Sequence, residues 1–194
     1  HADWSGERIT VIEPDDTKAQ KLRADYGVNV ASSADSESLD ADVIVLAVKP
    51  QMMREVCEGL VEPLGDRKPL VVSIAAGVPI AAFRQWLGAD HAYVRCMPNT
   101  PSLIGAGATG LYADNGVTDA QRSLADSILE TAGMTAWVAE ESLLDAVTAT
   151  SGSGPAYFFA FMEAMQAGAV ELGLDEAAAR ELVLHTALGA ARMA

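Results

Sequence analysis

Asp145-Ala146-Val147-Thr148-Ala149-Thr150-Ser151-Gly152-Ser153-Gly154-Pro155-Ala156-Tyr157 divides the chain into two kinds of sequence. The stretch reads as a helix that breaks on Ser151 to Gly154 and restarts at Pro155 into the apolar run Ala156 to Met162. Proline suits a first helical turn, where its missing N–H costs nothing, and two glycines let the backbone turn tightly. The expected result is a fresh helix N-terminus, whose free N–H groups and positive dipole end seat a carboxylate or phosphate. A serine-capped joint between two helices explains the same residues. What lies on either side distinguishes the readings, since strands alternate with helices before the stretch and only helix follows it. Clefts where two architectures meet are common ligand sites.

Upstream, Arg8 to Glu13 carries a short apolar strand, Ile9-Thr10-Val11-Ile12, and Glu13-Pro14-Asp15-Asp16 turns into a helix over Thr17 to Tyr26. Gly27 closes that helix and Val28-Asn29-Val30 is a brief strand. Asp42 to Val48 is a continuous apolar run of the kind a parallel strand covered on both faces requires. A helix follows Lys49-Pro50 to about Val61. The pattern repeats with the strand from Pro69 to Ser73, the small-residue turn to Gly77 and a helix from Pro79 to Leu87. Ala92 to Met97, Gly107 to Tyr112 and Met134 to Val138 are further strands, the last two flanking a helix over Asp119 to Ala132. This alternation predicts an α/β fold with a doubly wound, mostly parallel sheet. Right-handed crossovers then gather the carboxyl ends of the strands on one edge.

The chain has 194 residues, half of them hydrophobic, with 27 acidic and 13 basic residues and a net charge of -14. Such a balance argues against nucleic acid and anionic membranes, which call for basic patches, and suits an acidic, solvated surface. No apolar run approaches the ~20 residues of a membrane span, and no basic-then-apolar leader opens the sequence. Cys57 and Cys96 are far apart with no metal-ligand spacing, so no metal site is expected and a reducing cytoplasm is the default compartment. His1, His91 and His185 are isolated, which favours packing or solvent over catalysis. There is no initiator methionine, and the sequence stops inside the alanine-rich helix from Leu182 to Ala194. A piece of a longer protein is therefore expected.

The predicted ligand edge collects Glu13, Ala47-Val48-Lys49-Pro50, Ser73-Ile74-Ala75-Ala76-Gly77 and Met97-Pro98-Asn99-Thr100. Glu13 stands at a strand end where an acid often binds an adenine ribose, although a surface-turn acid explains it too. The two small-residue strand ends offer flat backbone walls to a planar ring; packing of helix on sheet is the alternative. Asn99 and Thr100 lie in a stiff polar loop between two prolines. Glu140 and Glu141 precede a helix starting near Ser142, where an acid favours the dipole by ~0.3–1 kcal/mol. No Ser/His/Asp arrangement, phosphate loop or histidine base is present, which fits cofactor-driven chemistry better than hydrolysis.

Together, Ala47 to Pro50, Ser73 to Gly77, Arg95-Cys96-Met97-Pro98-Asn99-Thr100-Pro101 and Asp145 to Tyr157 resemble pyrroline-5-carboxylate reductases in order and spacing. The resemblance covers nearly the whole chain. It implies a Rossmann domain over residues 1–140, lacking its first strand–helix unit, and the start of an all-helical dimerisation and substrate domain over 141–194, with truncation at both ends. The implied reaction reduces 1-pyrroline-5-carboxylate to L-proline, the last step of proline biosynthesis, in a cytoplasmic homodimer or higher homo-oligomer. Its cofactor would be NADPH, with NADH open, because Glu13 puts a negative group where a 2′-phosphate goes and only Lys18 compensates. By likeness, Glu13, Ala47, Val48, Lys49, Pro50, Ile74, Ala75 and Ala76 would line the cofactor. Asn99, Thr100, Ser151 and Ser153 would border the substrate, and Glu141 would be catalytic, near the ring nitrogen.

The departures are clear. The family's glycine-rich first loop would precede residue 1, and its substrate-contacting threonine segment would follow residue 194, so this piece by itself is expected to be inactive. Ala34 stands where family members often carry asparagine. Rival readings are another Rossmann reductase of β-hydroxyacid dehydrogenase or imine reductase type, and a non-catalytic dimerising fragment. The lysine that the rival enzymes place on their interdomain helix is missing from Tyr157 to Leu172.

Overall fold

The computed structural model describes residues 4–194, so His1 lies outside the described residues. A parallel pair of short strands comes first among the described residues. β1 (Thr10–Ile12) pairs with β2 (Asn29–Ala31), with Thr10 opposite Asn29. Between them runs α1 (Asp16–Tyr26), whose N-cap Asp15 accepts from Lys18 N and whose last turn ends on Gly27 at φ 64°. Only glycine adopts that left-handed geometry without cost.

The second sheet runs in the order β3 (Val43–Leu46), β4 (Leu70–Ser73), β5 (Ala92–Met97), β6 (Gly107–Ala113), β7 (Gly133–Trp137). Crossovers through α2 (Met53–Leu64) and α3 (Ile80–Trp86) make β3, β4 and β5 parallel. Two cores form, one on each face. Leu46, Met53, Cys57, Val71, Phe83 and Tyr93 fill the first, with Ala34 packed against it. Val72, Val94, Cys96, Leu111 and Ala125 fill the second, beneath α4 (Asp119–Leu129). The sheet is thus doubly wound, as its uninterrupted apolar strands require.

Three expectations change. First, β6 runs antiparallel to β5, with Met97 opposite Gly110, and β7 runs parallel to β6. The carboxyl ends of β6 and β7 therefore leave the common edge. The cause is the β5–β6 connection, a 3₁₀ turn over Thr100–Ile104 followed by Gly105 at φ 70°, which is shorter than the roughly twelve residues a parallel crossover needs. Second, the helix read over Asp119 to Ala132 stays α-helical only to Leu129 and tightens into a 3₁₀ turn over Glu130–Ala132.

The third difference concerns the stretch that divides the chain. The helix restarts at Gly154 with Pro155 in its first turn, as expected, but no open break precedes it. α5 (Leu143–Val147) runs into a π-helical turn over Thr148–Gly152, closed by Ser153 N donating to Thr148 O at 2.8 Å, and that turn runs into α6 (Gly154–Glu171). Ser153 stays right-handed, at φ -85° and ψ -18°. The serines and glycines widen the helix by one residue instead of ending it, a form that recurs at functional positions. α6 packs on α7 (Glu176–Met193) and meets the sheet chiefly through the wide turn and α5. Strand ends elsewhere move by one or two residues from those read in the sequence, within the ordinary fraying of elements.

His91 is buried beside Tyr93, and among the described residues its Nδ1 has no hydrogen-bond partner. Burial, and then the nearby Lys68, hold its pKa below the ordinary 6.5. The unfolded chain therefore takes up the proton first, so stability is present above that ordinary value and is lost as pH falls below it. In denaturant titrations, His91→Phe is expected to show a smaller loss of stability from pH 8 to pH 5 than the parent. Equal slopes for both proteins would contradict this.

Candidate functional site

The carboxyl ends of β3, β4 and β5 supply the candidate ledge, and β1, in the separate two-stranded sheet, leads into Glu13. At β1, Glu13 Oε1 accepts from Asp15 N at 3.0 Å, so this acid stiffens its own turn. At β3, Leu46 is buried while Ala47, Lys49 and Pro50 are exposed, and Val48 packs against the first core. At β4, Ser73 Oγ accepts from Ala75 N at 3.2 Å and turns the chain off the sheet. Ala75 is buried, Ile74 half-buried and Ala76 exposed. Gly77 takes φ 74°, with nothing within 4 Å of where a Cβ would sit. Small exposed residues on neighbouring parallel strands leave a flat, open backbone surface, which fits the planar half of a nicotinamide nucleotide.

At the end of β5 the chain ties three segments together. Arg95 is buried on the strand, and its Nη1 donates to Glu141 Oε1 at 2.8 Å. The same oxygen accepts from Ile80 N, the first N–H of α3, at 2.7 Å. The expected dipole partner of Glu141 was the helix after it; the helix it caps is α3, 61 residues earlier in the chain. A buried arginine without a partner would be costly, and this pair answers that need. Among the described residues Glu141 Oε2 has no hydrogen-bond partner. Glu141 lines a cleft of about 350 Å³ with Gly77, Pro79, Arg95, Ser142 and Asp145. The pair with Arg95 was not foreseen, because an arginine inside an apolar strand gives no sign in sequence of which acid it meets.

Asn99 and Ser151 are also brought together. Asn99 Nδ2 donates to Ser151 O and to Ser151 Oγ, each at 3.2 Å, and Asn99 Oδ1 accepts from Ala108 N at 2.9 Å. Thr100 is exposed at the start of the 3₁₀ turn, and Ser153 is half-buried at the end of the wide turn. Neither cysteine is a nucleophile at neutral pH. Burial pushes the thiol of Cys57 up to about 11 and that of Cys96 up to about 12. A larger open cleft of about 560 Å³ lies at the amino ends of β3 and β4, next to α4. Its Arg67 is spent on an exposed pair with Asp40 at 3.5 Å, and none of the strand-end segments reaches it. The smaller cleft is the one that the strand-end segments reach, through Gly77 and Arg95.

A doubly wound sheet with a small-residue ledge, a carboxylate held at its edge and a helical second part defines a nicotinamide-dependent reductase class. Residues 141–194 match the family described as pyrroline-5-carboxylate reductase dimerisation, and residues 3–77 match that described as NADP oxidoreductase, coenzyme F420-dependent. The chain is 46% identical to a Pseudomonas aeruginosa pyrroline-5-carboxylate reductase over 187 residues, covering 96% of this chain and 68% of that one. It superposes on a pyrroline-5-carboxylate reductase from Coxiella burnetii with a TM-score of 0.94 at 43% identity, over 98% of this chain and 71% of the other. A Plasmodium falciparum pyrroline carboxylate reductase with NADP bound gives a TM-score of 0.77 at 31% identity, over 86% and 62%. The chain belongs to the pyrroline-5-carboxylate reductase family.

Arg95 is nearly enclosed and Glu141 about one-third exposed, so solvent weakens the pair only in part. Arg95→Met is expected to cost about 1–3 kcal/mol of unfolding free energy, the penalty of leaving charge-assisted hydrogen bonds unmade. Arg95→Lys should cost less, and chemical denaturation measures both. Unchanged stability in the Met variant would show that the pair holds nothing in place.

Proposed function

We propose that this protein reduces 1-pyrroline-5-carboxylate to L-proline with NADPH, the last step of proline biosynthesis. The observation that carries the reading is Glu141, anchored through one oxygen at the strand edge and lining the cleft. A bound nicotinamide would supply the hydride, and Ala47, Val48, Lys49, Pro50, Ile74, Ala75 and Ala76 would hold it at the strand ends. Glu13 lies at the ribose end. NADP in the Plasmodium relative supports the phosphorylated cofactor; Glu13 keeps NADH in the comparison.

Glu141 is the catalytic residue in this reading. A cyclic imine accepts hydride best when its nitrogen is protonated, and a fixed carboxylate beside that nitrogen favours the charged form. Because Arg95 and Ile80 N already fix one oxygen, the carboxylate need not reorganise when the substrate arrives. Asn99, Thr100, Ser151 and Ser153 border the substrate end. We place the domain boundary at residues 140 and 141, where the dimerisation match begins. A cytoplasmic homo-oligomer fits the long helices. Tyr157, Phe158, Phe159 and Phe161 of α6 are each 59–68% exposed, which calls for a covering surface, and a second copy supplies one. No helix of the described residues is long and apolar enough to cross a membrane.

The test follows nicotinamide absorbance in the full-length enzyme with 1-pyrroline-5-carboxylate, using NADPH and NADH in parallel. Imine-dependent oxidation, faster with NADPH, is the expected result. Glu141→Gln should lower kcat by roughly 10²-fold or more, the scale of losing one preorganised electrostatic partner, while NADPH affinity stays near the parent value. No oxidation by a folded enzyme removes the reading. Unchanged kcat in the variant reduces Glu141 to a structural tie.

A further inference from the structure

We propose that Asn99 is a positioning residue, acting on the substrate end of the site through the wide turn at Thr148–Gly152 rather than by contact with the substrate. The proposal rests on the reductase reading above and refines the role of two of its border residues. Nδ2 of Asn99 donates to two acceptors of Ser151, the carbonyl and the hydroxyl, at 3.2 Å each. The amide oxygen takes Ala108 N at 2.9 Å, and Ser151 Oγ closes the ring by donating to Ala108 O at 3.2 Å. Both ends of the amide are thus engaged by protein groups, and Nδ2 is turned to the wide turn. Reversing the amide would set its oxygen against the Ser151 carbonyl, so the network fixes its orientation as well.

The clasp joins the end of β5, the start of β6 and the turn, and close packing on either side leaves that turn little freedom. A Cβ on Gly152 would come within 2.6 Å of Met97 Cε, and one on Gly110 within 2.6 Å of a Val147 methyl. What is held is the one-residue widening between α5, which starts just after Glu141, and α6. Tightening it into ordinary helix would turn α6 by about 100° relative to α5, one residue's share of a 3.6-residue turn. Asn99 therefore sets how the backbone at the substrate end sits relative to Glu141.

A double-mutant cycle in the full-length enzyme tests this. Asn99→Asp keeps the acceptor for Ala108 N but loses both donors, and Ser151→Ala removes the hydroxyl. Asn99→Asp is expected to lower imine kcat/KM by about tenfold or more, the kinetic equivalent of one well-made hydrogen bond, mostly through kcat. The cofactor dissociation constant should stay within about twofold of the parent, and Ser151→Ala should add little on top of Asn99→Asp. If Asn99→Asp does not fold, Asn99→Ser replaces it in the same cycle. Independent, multiplying losses would mean that each side chain meets the substrate by itself, and they overturn the proposal. So do equal losses in cofactor affinity and imine turnover, or no loss at all. A folded parent without imine activity overturns the reductase reading and this proposal together, whereas an active parent with a multiplicative cycle overturns only the clasp.

Discussion

One carboxylate oxygen, Glu141 Oε1, joins three parts of the molecule that lie far apart in sequence. It accepts from the Arg95 guanidinium on β5 and from the first N–H of α3, across 46 and 61 residues. Both bonds are short and charge-assisted, and Arg95 is sheltered from water. The whole sheet must be in order before these groups can meet. Once they meet, they fix where the chain leaves the sheet and so where α5, the wide turn and the long helices begin. The same residue lines the cleft with Gly77, Pro79 and Arg95.

A second fastener lies on the other side of the junction. The Asn99 amide grips the wide turn while the reversed strand β6 brings Ala108 against it. Had β6 continued the parallel pattern, its start would have lain at the far edge and Ala108 could not have closed this ring. The reversal, the short 3₁₀ connection and the widened helix therefore belong to one arrangement. Each places backbone where the ledge of β3 and β4 meets the helical part. The exposed aromatic residues of α6 stand beyond that junction.

Much of the fold was legible because its signals are local. Apolar runs such as Asp42 to Val48 and Leu70 to Val72 mark strands covered on both faces, and Gly27 marks a helix end. The direction of β6 was not legible by periodicity, since a strand reads the same both ways; the length of the Pro98 to Ala106 connection carried that information. Ser151 to Gly154 marked where the new helix starts but not the wide turn before it. Glycine and serine weaken a helix locally, and only contacts with Asn99 and Met97 decide whether it breaks or widens. The strand-end ledge could be placed from order alone, whereas the Arg95–Glu141 pair could not, because charge pairing across 46 residues leaves no spacing to read. Ser151 and Asn99 were singled out as site residues, but that they bond each other is visible only in three dimensions.

The most direct measurement is a crystal structure of the full-length enzyme with oxidised cofactor and L-proline bound together. The account predicts the proline ring nitrogen within hydrogen-bonding distance of Glu141, Oε1 still held by Arg95 and Ile80 N, and the nicotinamide against the Ala47 and Ala76 ledge. Proline bound at another edge, or Glu141 with both oxygens turned to Arg95 and away from the ligand, would contradict it.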